Sequence, residues 1–208
     1  MNTTIVIFAN SVKHGKHCVA GKVVNTQQWI RPVSDVDGSE LSDQQCLYEN
    51  PHGRFKVKPL QKIEMSLSQH VPLISQPENY LISHEIWQQR YIIEKSEISN
   101  YLDTPDSLWG IGNRVSYAQI EHKTVNIDQS LYLIRASDLR LSKVEGKRRA
   151  AFSYAGINYD LPVTDPNFEK QLIEPDNQQI LCVSLGEKYD PAAGGNNYSC
   201  YKIVATIL

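Results

Sequence analysis

Apolar and polar positions alternate with a period of two through much of this chain, and turn signals interrupt the alternation at short intervals. Residues 3–9 are rich in β-branched side chains and stop at Asn10-Ser11, which predicts a strand. Residues 17–24 resume the pattern and end at Asn25-Thr26. Residues 28–34 carry Trp29, Ile30 and Val33 before breaking into Asp35-Val36-Asp37-Gly38. Over residues 39–48 the spacing changes. Ser39 can cap a helix, and Leu41, Gln45 and Tyr48 share a helical face, so a short helix is predicted there. Ile63, Met65 and Leu67 then alternate with Glu64, Ser66 and Ser68, the period of a half-buried strand. Residues 79–87 supply a fifth strand.

The second half repeats this order. Residues 130–144 read as a strand with a bend at Ala136-Ser137-Asp138, and residues 148–154 and 157–163 flank a hairpin turn at Ala155-Gly156. Asp165-Pro166 is the clearest helix start in the chain, because Asp165 can cap free amides and proline loses nothing at the first helical position. Residues 178–185 and 199–208 complete the set. In the last strand Tyr201, Ile203, Ala205 and Ile207 are expected inward, with Lys202 and Thr206 outward. Between the halves, residues 88–129 read either as one helical face (Trp87, Tyr91, Ile98, Leu102) or as a strand followed by a short helix from Ser96. Leu108 to Arg114 read as a loop with one large anchor.

Strand, strand, strand, short helix, strand, strand is the order of the OB-fold, a five-stranded barrel that binds oligonucleotides and oligosaccharides. The predicted fold class is therefore mostly β: two tandem OB-like five-stranded barrels, each with a short helix between strands three and four. The first spans residues 1–102 with a trailing connector, and the second spans residues 103–208.

Composition narrows the function classes. Hydrophobic content of 41% and charged content of 21% in 208 residues support a packed core rather than disorder. A net charge of −2 argues against strong non-specific nucleic-acid binding by the whole chain, which needs a basic domain. The apolar run from Ile5 to Ala9 is too short for a secretory core, and nothing approaches the roughly 20 apolar residues of a membrane helix. A cytoplasmic protein without a membrane partner is expected. Its four scattered cysteines (Cys18, Cys46, Cys182, Cys200) then read as free thiols.

Candidate chemistry concentrates early. An OB barrel binds across strands two and three, framed by the loops between strands one and two and between strands four and five. The first of these loops contributes Asn10, Ser11, Lys13, His14 and Lys16. Through Ser34 the only formal charges are Lys13, Lys16, Lys22 and Arg31, a local field attractive to anions. Trp29 beside Arg31 can stack a base and pair a phosphate; the bland alternative is that Trp29 fills the barrel and Arg31 pairs with an acid. In the second half Lys147, Arg148 and Arg149 occupy the corresponding turn, and residues 186–197 form a glycine-rich late loop. Catalytic signals are weak. His14, His17 and Cys18 lie close together, but a zinc site needs about four ligands and no second cluster is visible. There is no P-loop or GxSxG, and Gly110-Ile111-Gly112 is too short for a dinucleotide fingerprint. No metal, cofactor or catalytic residue is assigned.

With these residues the chain resembles the dual OB-containing domain family of prokaryotes. The resemblance rests on Ala9-Asn10-Ser11 followed by Lys13, on Cys18-Val19-Ala20-Gly21, and on Trp29 to Ser34. It continues with Leu108-Trp109, Asn113-Arg114, Ser184 to Glu187 and Cys200-Tyr201-Lys202. It implies tandem OB barrels that bind nucleic acid or nucleotides, often near bacterial defence systems, with no catalytic residue to carry over. Asn10, Ser11, Lys13, Arg31, Arg114, Glu187 and Lys202 become ligand-contact candidates. Three functions stay open: a binding module for single-stranded nucleic acid or a nucleotide, an enzyme acting on such a ligand, and a subunit or inhibitor that binds a protein partner.

Overall fold

A computed structural model describes residues 1–13, 15–173, 179–190 and 197–208, the side chain of Lys13 excepted. The chain forms two compact units, one of residues 1–73 and 78–102, the other of residues 74–77 and 103–208.

The first unit is built on β1 (Asn2–Lys13), β2 (Lys16–Val23), β3 (Trp29–Val33), β4 (Leu47–Asn50), β5 (Gly53–Lys56), β6 (Gln61–His70), β7 (Asn79–Ile82) and β8 (Trp87–Ile92). β1 is long enough to pair with two partners, so Ile5 lies opposite both Val23 of β2 and Ile63 of β6. That double pairing closes a barrel in the order β1-β2-β3-β7-β6, with β3 and β7 parallel and the other pairs antiparallel. Gly21 permits the closure. A Cβ there would sit 2.3 Å from the Val6 carbonyl oxygen, a distance no side chain tolerates. Ile5, Ile7, Val19, Ile30, Ile63, Met65, Leu67 and Trp87 fill the core. β8, β4 and β5 extend the sheet outward from β6.

Two expectations for this unit need correction, and one open alternative is decided. The helix over residues 39–48 is a single turn, in which Gln45 and Cys46 N–H both reach the Ser42 carbonyl. Leu41 is bound to His17 by two backbone hydrogen bonds of 2.8 and 2.9 Å, and a backbone committed to a strand cannot wind into a helix. The strand over residues 79–87 is split, with Trp87 opening β8. Trp87, Tyr91, Ile98 and Leu102 do not share a helix: β8 is followed by a 3₁₀ helix at Lys95–Tyr101, the second of the two readings.

The second unit contains β9 (Arg114–Ser116), α1 (Tyr117–Glu121), β10 (Leu131–Arg135), β11 (Ser137–Val144), β12 (Lys147–Tyr154), β13 (Ile157–Pro162), α2 (Phe168–Ile173), β14 (Ile180–Tyr189) and β15 (Ser199–Ile207). One sheet runs β11-β12-β13 and another β10-β14-β15-β9. The chain passes between them at Ala136, and a parallel bridge between Val163 and Val204 joins β13 to β15. The helix α2 sits between the third and fourth barrel strands as the sequence predicts. One Asp165 carboxylate oxygen accepts from Asn167 N–H at 2.7 Å and the other from Ile207 N–H at 2.8 Å. The two units are tandem OB-like barrels.

The last strand departs from its predicted facing. Lys202 and Thr206 are buried, whereas Tyr201 and Ile203 are half-buried. β15 is an interior strand, paired to β14 and β9 and bridged to β13, so exposure no longer follows the period of two. A register shift beside Ala205 breaks the alternation further.

Candidate nucleic-acid interface

The candidates in the first barrel largely hold the fold together. Asn10, Ser11, Lys22, Trp29 and Arg31 are all buried. The Lys22 ammonium donates to the Tyr101 carbonyl at 2.7 Å and lies 5.2 Å from the centre of the Trp29 ring. Trp29 packs edge-on to Phe8 inside the unit. Arg31 pairs with Glu78 at 3.3 Å, both side chains being at most one-tenth exposed. Lys16 is exposed; His14 and the Lys13 side chain lie outside the described residues.

Asn10 belongs to a polar relay. Its amide nitrogen donates to the Val57 carbonyl at 2.7 Å, which turns its oxygen toward His17 Nδ1 at 2.9 Å. His17 Nε2 meets Asp43 at 2.7 Å, and Lys56 donates to the same carboxylate oxygen at 2.7 Å. Hydrogen bonds from Lys56 and His17 hold the Asp43 carboxyl below its usual range. The neighbouring Cys46 thiol is pushed up to about 12 by burial, which makes it a poor nucleophile.

In the second barrel Lys202 is fully buried. Its ammonium donates to the carbonyls of Gly110, Gly112 and Ile111 at 2.7, 2.9 and 3.3 Å, with the Tyr159 ring centre 5.3 Å away. Burial pushes it down to about 8. Lys202 therefore anchors the loop of residues 110–112 instead of facing solvent. Arg148 is also committed internally, donating to the Asp165 carbonyl at 3.1 Å and lying over Phe168.

Two exposed cations, Arg114 and Lys188, lie where β9 and β14 flank the start of β15. Arg114 lies opposite Tyr201 in the β9–β15 pair. Its guanidinium donates to the Tyr201 hydroxyl at 3.0 Å and sits 5.8 Å from that ring's centre. Tyr189, 58% exposed, stands edge-on to Tyr201 with ring centres 6.1 Å apart. On the opposite face of the same strands the Lys188 ammonium lies 4.3 Å from the ring centres of both Tyr117 and Tyr198. A bulge at Gly186-Glu187 produces this arrangement by shifting the register between Leu185 and Lys188. The hairpin of β14 and β15 joins barrel strands four and five, whose loop frames the ligand surface of an OB-fold.

The model of the dual OB-containing domain family matches residues 3–207. The chain belongs to this family. No curated protein matches it. Among solved structures, a murine DNA binding protein bound with double-stranded DNA aligns over 99% of this chain and 98% of its own at 9% identity, with a TM-score of 0.34. A tetrameric HIN2 crystal structure aligns over 99% of this chain and 88% of its own at 7% identity, with a TM-score of 0.31. Neither likeness bears on the ligand of this chain.

Of the sequence candidates, Arg114 and Glu187 stand in exposed positions at this end of the second barrel of the dual OB chain. Sequence reasoning did not single out Tyr117, Lys188, Tyr189, Tyr198 or Tyr201 as contacts. The available signal was tyrosine beside lysine at Lys188-Tyr189 and Tyr201-Lys202, segments that the β14–β15 and β9–β15 pairings bring together with Arg114.

Proposed function

We propose that this chain is a binding module for single-stranded nucleic acid and that the second barrel binds it through Arg114, Tyr189 and Tyr201. The observation that carries the reading is a guanidinium held against one tyrosine, with a second, largely exposed tyrosine beside it. Rings on such a platform stack unpaired bases whatever their sequence, at about 1–3 kcal/mol per base, and the adjacent cation takes a backbone phosphate. A duplex hides its base faces, so the chemistry favours single strands. The modest overall charge agrees with few phosphate contacts and a shallow salt dependence.

Fluorescence anisotropy with a labelled single-stranded oligonucleotide tests this. Tyr189→Ala should weaken binding about tenfold, the equivalent of one lost stacking contact. Equal affinity of the wild type and both Tyr189→Ala and Arg114→Ala would remove the assignment.

A further inference from the structure

We propose that the first barrel carries a second, independent site for a short single-stranded segment, in the groove between the starts of β1 and β6 and the end of β2. The proposal takes only its ligand class from the function argued above. The groove encloses about 430 Å³ and is lined by Asn2, Thr3, Thr4, Asn25, Lys62 and Glu64 among others, within the ~300–1,000 Å³ range of small-ligand sites.

Its polar groups are unspent. Among the described residues, the side chains of Asn2, Thr3, Thr4 and Asn25 make no hydrogen bond. They therefore offer amide and hydroxyl partners for base edges and sugar hydroxyls. The one acid in the groove is neutralised locally, because Arg90 donates to Glu64 through both Nε and Nη2. Lys62 keeps its charge in excess. Its ammonium lies 4.4 Å from the centre of the Tyr91 ring, directly across the β6–β8 pair, and Tyr91 is 48% exposed. A cation beside an accessible tyrosine is the same pairing that Arg114 makes with Tyr201. Here it adjoins a concave surface with free hydrogen-bonding capacity. This surface uses barrel strands one and four, the end of strand two and the added strand β8, whereas an OB-fold customarily binds across the face of strands two and three.

Titration calorimetry of the full chain with hexathymidylate decides the matter. Two equivalents should bind per chain. Tyr91→Ala or Lys62→Gln should abolish one equivalent or weaken it about tenfold, and Tyr189→Ala should affect only the other. Circular dichroism checks that each variant folds. A single equivalent that Tyr91→Ala and Lys62→Gln leave unchanged overturns the second site and spares the first. Loss of an equivalent in Tyr91→Ala with no effect of Tyr189→Ala supports this site and overturns the one on the second barrel. No binding at all overturns both.

Discussion

Lys202 provides a quantitative test of how the second barrel is held. Its side chain is fully buried, and burial moves its ammonium from the usual 10.5 down to about 8. Between those two values the unfolded chain holds a proton that the folded chain has released. Stability from this titration is therefore fully present above pH 10.5 and is lost as the pH falls through 8. A separation of that size corresponds to about 3 kcal/mol. Lys202→Met keeps the aliphatic stem and removes the titrating group. Urea unfolding of both proteins at intervals from pH 7 to 10.5 cancels every other titration they share. The wild type should gain about 3 kcal/mol relative to the variant across that window. Parallel stability curves would refute the burial of a charged ammonium here. Loss of the ammonium should also speed hydrogen exchange at the amide of residue 202, which donates to the Asn113 carbonyl at 2.9 Å.

Two further outcomes follow from the first barrel. Gly21→Ala should destabilise by at least about 2 kcal/mol, since the added methyl meets the Val6 backbone and a strand cannot yield as a flexible side chain does; thermal unfolding measures it. Glu78→Gln should cost about 3 kcal/mol in denaturant, because it withdraws the carboxylate facing a buried Arg31.

The barrels were legible because each strand needs only local alternation and a turn, and a closed barrel leaves one face of each strand toward a common core. Leu41, Gln45 and Tyr48 misled because helical spacing and a turn leading into a strand give the same apolar positions over ten residues; the hydrogen bonds from His17 to Leu41 decided between them. Lys22 and Lys202 misled for another reason. A lysine in a strand reads as a solvent-facing charge, yet its long stem can deliver the ammonium to backbone carbonyls distant in sequence, Tyr101 for one and residues 110–112 for the other. The tyrosine platform was not legible, because it depends on a strand of three residues, β9, pairing with the start of β15 some 85 residues later. No local pattern encodes that partnership.

The most direct measurement is photocrosslinking of a bromouridine-containing single strand to the intact chain, followed by mass spectrometry of the attached peptides. Adducts at Tyr189 or Tyr201 that vanish when Arg114 is replaced by alanine are the predicted result. Adducts confined to residues 10–34, or none at either tyrosine, would contradict a strand lying across the end of the second barrel.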